Sequence, residues 1–518
     1  MKKHIALFIG FLAMAPELPA ELTVDPIYQS YMVLQQGVEV PISGASTSSG
    51  DVTVSFGDQK VTAKVKNKKW QAVLAPMSAS SEGRSLTITQ GKDEIALSDV
   101  LVGEVWFASG QSNMLFRLDE TPDKAALSHP EIPAFRYYHA EPQVLPSNKP
   151  YTPEQINQLK AKDMYRGAWA VSGGAGSTTR MSAVGWYFGR KLQATLGVPV
   201  GVIHTSLGGS EMAAWMPNAV LKKKYKECLT PRWMDSKCKY VPAWARSRGE
   251  WNIGKTEPSA PHPFKPGYLF ETGVTPWLRF PVAGVIWYQG ETDAEEKDQK
   301  RNTDLLTDMI TGWRKEFGRP ELPFLMVQLP RLNDKSPLRA YWPEFREVQQ
   351  RVSESLPQVF FTATIDLGST NADVHPKRKL EVGERLAALA AARVYGKELP
   401  FSGPAYKASA LKDGKVEVSF DYAEGLKTTD GKEPVGFELS ADGKSYSPAT
   451  AELQGDTILL SSPAVKSPKY VRYAWATFLA PNLVNAAKLP AVPFASVVGG
   501  GKAKKTKGTE EKSASSAR

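Results

Sequence analysis

The sequence predicts an α/β fold, a doubly wound, mostly parallel sheet flanked by N-terminal and C-terminal β-sandwich-like domains. Three observations predict it. Between residues 101 and 398, short apolar runs of strand length alternate with stripes of helical period, the pattern of strands joined by covering helices. Residues 21–100 and about 400–495 carry instead short alternating segments between turn residues, the signature of sandwiches. The chain has 518 residues, too many for one core.

The first twenty residues read as a signal peptide. Lys2 and Lys3 form a basic start and Ile5 to Ala15 an apolar run, with cleavage near Ala20. A run of this length falls short of the roughly 20 residues that span a bilayer, and no other segment qualifies as transmembrane. Export to the periplasm, the medium or the cell surface is therefore expected.

Residues 21–100 form an N-terminal β domain. Val52–Phe56, Val61–Val65 and Leu86–Thr89 alternate apolar and polar side chains. Each is followed by a turn signal: Gly57-Asp58, Asn67 and Gly91-Lys92-Asp93.

Residues 101–398 form an α/β domain. Val105–Ala108 is a buried-strand candidate. Val184, Phe188, Leu192 and Leu196 share a helix face, stopped by Gly197 and Pro199. Val200–Ile203 is the next strand. Leu305, Met309, Trp313 and Phe317 mark a second helix, followed by the strand Phe324–Val327. A polar helix covers about 344–355 and Val359–Ala363 follows as a strand. In such sheets ligands bind beyond the carboxyl ends of the strands. Residues 220–265, rich in Trp, Pro and charge, read as an insertion of the kind that walls an active site. It holds both cysteines, Cys228 and Cys238. A local disulfide is reasonable in an exported chain, and free thiols stay open as the alternative.

Residues 399–497 form a C-terminal β domain, with Val416–Phe420 and Val471–Trp475 alternating cleanly. From Val498 the glycines and Lys, Ser and Ala predict a disordered basic tail over 498–518. This tail explains much of the net charge of +10: residues 502–518 hold six Lys or Arg against two Glu. No basic block lies in the globular part, so nucleic acid is not an expected partner. No His/Cys/acid cluster has metal-ligand spacing, and neither metal nor cofactor is expected. Oligomeric state is not encoded.

Four segments bring residue types that do chemistry to the ends of strands. Gly110-Gln111-Ser112-Asn113-Met114 follows the first strand and leads into a helix through Leu115 and Leu118. A serine there sits near a helix N-terminus, whose dipole favours negative charge. Gly208-Gly209-Ser210 follows Val200–Ile203, and glycine lets a backbone N–H approach a substrate. Gln289-Gly290-Glu291 follows Gly284–Tyr288, and a primary amide can donate to an oxyanion without titrating. Glu291 reads as a buttress, with a general base or a substrate contact as alternatives. Asn371-Ala372-Asp373-Val374-His375-Pro376 supplies a histidine with an acid beside it. Of the other histidines, His129 and His139 fall in an irregular stretch, and His204, next to the glycine turn, could line the site. Together these segments offer a nucleophile, oxyanion donors, a base and an acid.

These four blocks, in this order, resemble the sialate O-acetylesterase family of the SGNH (GDSL-like) hydrolases. Met32–Gln36, Leu101–Trp106, Ser182–Arg190 and Tyr473–Trp475 extend the resemblance over most of residues 21–495. It implies an SGNH-type fold and a serine esterase that removes O-acetyl groups from carbohydrate, O-acetylated sialic acids first. Acetylxylan or another acetylated polysaccharide is the alternative within that chemistry, and a non-catalytic carbohydrate-binding protein is the alternative outside it. A glycosidase would need two facing carboxylates, and no such pair stands out. The resemblance implies Ser112 as nucleophile, His375 as base and then acid, and Asp373 as the carboxylate that orients it. It implies the N–H of Ser112, a glycine N–H of Gly208-Gly209 and the Gln289 amide as oxyanion donors. Gln111, Asn113 and Glu291 fall to support or substrate contact. Two positions depart from the wider superfamily: Gln289 stands where Asn is usual, and Asp373 precedes His375 by two residues rather than three. Two rivals for the acid therefore stay open: Asp366, and a backbone carbonyl that would leave a Ser–His dyad.

Overall fold

The computed structural model describes residues 21–173, 177–229, 232–254 and 259–501. The expected signal segment and residues 502–518 lie outside them. The centre is a run of parallel strands: β1 Asp93–Gly110, β2 Ile132–Pro142, β3 Val200–Ser206, β4 Gly284–Tyr288, β5 Phe324–Val327 and β6 Val359–Thr362. Their spatial order is β2-β3-β1-β4-β5-β6, and all five pairings are parallel.

Helices cover both faces, and strand alternation decides which side chain meets which helix. Val105 and Phe107 of β1, Trp287 of β4 and Met326 of β5 pack with Leu305, Met309 and Trp313 of α3 (Gln299–Glu316) and Val348 of α4 (Trp342–Ser355). Their neighbours Trp106, Ile286 and Leu325 pack with Val184 and Phe188 of α2 (Ala183–Leu196) and Leu386 of α5 (Lys379–Arg393). The predicted stops hold at α2, where Gly197 takes the left-handed conformation at φ 71°.

The sheet as a whole is mixed. Strand β1 runs 18 residues and passes position 100 without a break. Its first half pairs antiparallel with Ser80–Gln90, which pairs with the hairpin Asp51–Phe56/Gln59–Lys64. The N-terminal region therefore shares one sheet with the central strands. A separate three-stranded sheet, Leu22–Val24, Val40–Ser46 and Lys69–Leu74, joins the same core through Ile42, Trp70 and Leu74.

Two further four-stranded antiparallel sheets lie between Ala405 and Val497 around Val418, Phe437, Leu460 and Tyr473. They are tied back by Arg346 of α4, which is 1% exposed and donates to the carbonyls of Leu329, Pro330, Ala476 and Thr477. Two expectations need correction. Over Val498–Gly501 the chain is not a loose tail: Gly499 N–H donates to Ser409 and Ser409 N–H to Gly500. His139 is not in an irregular stretch but on β2, in register with His204. The buried Arg136 within that strand, paired with Asp99, disguises its apolar character.

Candidate active site

Three of the four segments converge because three adjacent strands end at one level. Gly110 is in register with Ser206 of β3 and with Tyr288 of β4. The turns after β1, β3 and β4 therefore open side by side, at the carboxyl edge where parallel sheets bind ligands. Gly110 makes the closeness feasible. Its φ is 140°, and a Cβ there would lie 2.1 Å from the Tyr288 carbonyl.

Ser112 opens α1, Ser112–Leu115, a single turn that Phe116 ends. The expected helix through Leu118 is thus shorter: Phe116 leaves the helical region and Leu118 N–H turns to the Met181 carbonyl. So short a helix has little macrodipole, and what it offers is its first-turn N–H groups, which lack intrahelical acceptors. The glycine turn borders the serine. A Cβ on Gly208 would lie 3.5 Å from that of Ser112. Gly209 needs its φ of 73°, and its carbonyl accepts from the Thr292 hydroxyl.

The fourth segment arrives from the loop between β6 and α5. His375 places Nε2 2.9 Å from Ser112 Oγ. Its Nδ1 lies 3.1 Å from Asp373 Oδ1, which also accepts the His375 N–H at 2.9 Å. That double contact resolves the two-residue spacing: with no helix between them, the carboxylate folds back over the imidazole. Asp366 sits elsewhere, bound bidentately by Arg385 at 2.7 and 2.6 Å. Asp373 is exposed and His375 half-buried, so the pair faces solvent.

Gln289 is buried, and its Nε2 donates to Asp293 Oδ2 at 3.0 Å. One of the two amide hydrogens is so engaged, and the other has no acceptor among the described residues. Asp293 Oδ1 accepts the Met212 N–H at 2.9 Å, which ties the β3 and β4 turns together. Burial pushes the Asp293 carboxyl up to about 7. Gln111 Oε1 accepts from the N–H groups of Gly290 and Thr292, bracing the β1 turn against the β4 turn.

A relay underlies the serine, formed by Asn113 and Glu291, which the sequence places in support, and by Lys379, which it does not single out. Asn113 is fully buried and donates to Glu291 Oε1 and to the Val374 carbonyl, and accepts from the Nζ of Lys379. Lys379, the first residue of α5, is also buried, and burial lowers its ammonium to about 7, opposed chiefly by Glu291. Burial raises the Glu291 carboxyl, opposed by the Asn113 hydrogen bond and Lys379. His204 does not line the site. It is fully buried in β3, with Nδ1 3.0 Å from that of His139 and Nε2 2.7 Å from Ser206 Oγ. The insertion closes on itself through a Cys228–Cys238 disulfide.

The arrangement can attack an ester carbonyl: a serine hydroxyl, an imidazole at hydrogen-bond distance, a carboxylate on the other ring nitrogen and donors at two adjoining turns. Among the described residues no group of acids, His and Cys has metal-holding geometry, and no helix is long and apolar enough to cross a membrane.

Residues 273–392 match the family described as carbohydrate esterase, sialic acid-specific acetylesterase. The stretch holds Gln289, Glu291, Asp373 and His375, and Ser112 lies before it. The sialate O-acetylesterase of Mus musculus is 28% identical over 508 residues, covering 87% of this chain and 88% of its own. That of Homo sapiens is 28% identical over 513 residues, covering 89% and 90%. Among solved structures, a carbohydrate acetylesterase from Xanthomonas citri superposes with a TM-score of 0.77 at 30% identity, over 92% of this chain and 99% of its own.

Proposed function

Because the chain belongs to the sialate O-acetylesterase family of carbohydrate esterases, we propose that it is a serine esterase that removes O-acetyl groups from glycans through an acetyl-enzyme. The observation that carries this reading is the 2.9 Å contact of His375 Nε2 with Ser112 Oγ. In the first half-reaction Oγ bonds to the acetyl carbon and its proton passes to Nε2. Asp373 holds the Nδ1–H and stabilises the imidazolium. The carbonyl oxygen takes up negative charge and accepts from the Ser112 N–H, a Gly208 or Gly209 N–H and the free hydrogen of the Gln289 amide. Collapse breaks the bond to the sugar oxygen, which leaves with the proton from Nε2. Water then attacks the acetyl-serine by the same route and releases acetate.

O-acetylated sialic acid is the first substrate reading, supported by the curated relatives that match along most of the chain. Acetylxylan or another acetylated polysaccharide is the second reading, and the Xanthomonas citri enzyme, named only as a carbohydrate acetylesterase, is compatible with either. Export is proposed on the basic and apolar start of the chain, and the disulfide fits an oxidising compartment. Peptide mass spectrometry of protein quenched during turnover tests the chemistry. An added acetyl group on Ser112 is expected, and turnover without one on any serine would overturn the covalent route.

A further inference from the structure

Stability alone would not place Lys379 where it is. The side chain is fully buried, and a buried ammonium costs free energy unless it is paired. It also opens the 15-residue helix α5, where the helix dipole disfavours a cation. Among the described residues no carboxylate meets the ammonium directly. Nζ donates to Asn113 Oδ1 and lies over two aromatic rings, 4.8 Å from the centre of Phe116 and 5.2 Å from that of Tyr288. The negative faces of these rings favour the charge.

The Asn113 amide passes the contact on. With Oδ1 turned to the ammonium, Nδ2 donates to Glu291 Oε1 and to the Val374 carbonyl. Turned over, the amide would set an oxygen against two acceptors and an N–H group against a donor. Lys379 thereby helps to fix its sense. One amide joins a buried cation, a buried carboxyl and the residue before His375.

Glu291 is 3% exposed, and its Oε2 has no hydrogen-bond partner among the described residues. Around Glu291 and Lys379 stand Tyr288 and Asp293 from β4 and the turn after it, His375 and Asp373 from the loop before α5, and Glu120 from the turn after α1. Of these groups His375 is the one that can, like Lys379, carry positive charge. The imidazolium that forms when Ser112 gives up its proton is therefore a charge on which Glu291 acts. The Asp373 side chain is 46% exposed, so solvent screens it. A carboxylate in the interior acts more strongly at a given distance.

We propose that Lys379 is a positioning residue of the reaction: through the Asn113 amide it balances and orients Glu291, and this buried chain joins Asp373 in supporting the positive charge that forms on His375. The inference rests on the esterase reading and gives Glu291 the part of a charge rather than of a spacer.

Three variants test it on p-nitrophenyl acetate, with thermal unfolding measured beside the kinetics. Glu291→Gln keeps an acceptor for Asn113 and removes the charge. Its kcat should fall about tenfold or more with KM within about twofold of wild type. The acid limb of its kcat/KM profile should move to lower pH, because a nearby negative charge favours a protonated base. Lys379→Met leaves Glu291 unbalanced and should lose both kcat and stability. The double variant Lys379→Met, Glu291→Gln holds neither buried charge. Its stability should return toward wild type while kcat stays at least about tenfold down. Should Lys379→Met fail to fold, the other two variants decide. A purely structural role would bring kcat back along with stability. That joint recovery, or a Glu291→Gln enzyme with kcat within about twofold of wild type and an unmoved acid limb, would overturn the proposal. Activity surviving in Ser112→Ala would overturn the esterase reading instead.

Discussion

Asn113 donates to the carbonyl of Val374 across 2.9 Å, so the residue after the proposed nucleophile holds the residue before the proposed base. The Ser112–His375 distance is thereby set by a half-buried hydrogen bond as well as by the exposed loop. Glu291 and Lys379 fix the Asn113 amide from its other sides. Asn113→Ala should lower kcat about 10²-fold, the scale of a roughly 1 Å misplacement, while KM changes little. Steady-state kinetics on a chromogenic acetate ester reads this. An unchanged kcat would mean that the loop holds His375 unaided.

Asp373 and Asp366 rank differently in their surroundings. Asp373 meets His375 Nδ1, and Asp366 is occupied by Arg385. Asp373→Asn should cut kcat by about 10⁴-fold if it sets the tautomer, as in other triads. Asp366→Asn should act on stability rather than on kcat. The reverse ranking of kcat would move the acid to Asp366.

The Gln289 amide is held by Asp293 through one hydrogen, which leaves the other for an oxyanion. Gln289→Ala should depress kcat about 10²–10³-fold. Asp293→Ala should give a smaller loss of the same kind, since it frees the amide and unties Met212. A pure KM effect at Gln289 would make it a ground-state contact.

The stacked histidines of β2 and β3 predict a pH dependence of stability. Their Nδ1 atoms are 3.0 Å apart, so one proton lies between them, and charging both rings would set two N–H groups against each other. Burial lowers His139 to about 4 and His204 well below its ordinary value; Glu141 opposes this at His139, and Arg180 and Arg117 reinforce it. Between about 4 and 6.5 the unfolded chain binds more protons than the folded one. This contribution is therefore complete above the unfolded value and is lost as pH falls through that window. Asp293, raised to about 7, acts in the opposite sense, its contribution fading as pH rises from its unfolded value toward 7. Unfolding followed by denaturant should show a weaker fall in stability from pH 6.5 to 4.5 in His139→Phe than in wild type. Equal slopes would remove the pair from the acid limb.

How much of this was legible in the sequence follows from range. Val105–Ala108, Val200–Ile203 and Gly284–Tyr288 are uninterrupted apolar runs ending in small or polar turns, so both the strands and the chemistry at their ends could be read locally. What could not be read is pairing. Lys379 looks like a solvated helix start, and only the tertiary fold buries it against Asn113. The strand β2 was hidden by Arg136 and His139, polar residues whose partners, Asp99 and His204, are remote in sequence. Asp373 is the first choice for the acid partner of His375, yet Asp366 stays a rival in the sequence, because a two-residue spacing meets the ring only in the loop conformation found here.

The central claim is that Ser112, activated by His375, carries the acetyl group. The direct measurement is acetate release from a chromogenic acetate ester and from acetylated glycan by Ser112→Ala, with wild-type unfolding behaviour confirmed alongside. Loss of a triad member costs several orders of magnitude in rate, so activity on both substrates should fall at least about 10³-fold. A folded Ser112→Ala protein that keeps more than about a tenth of the wild-type rate would contradict the account.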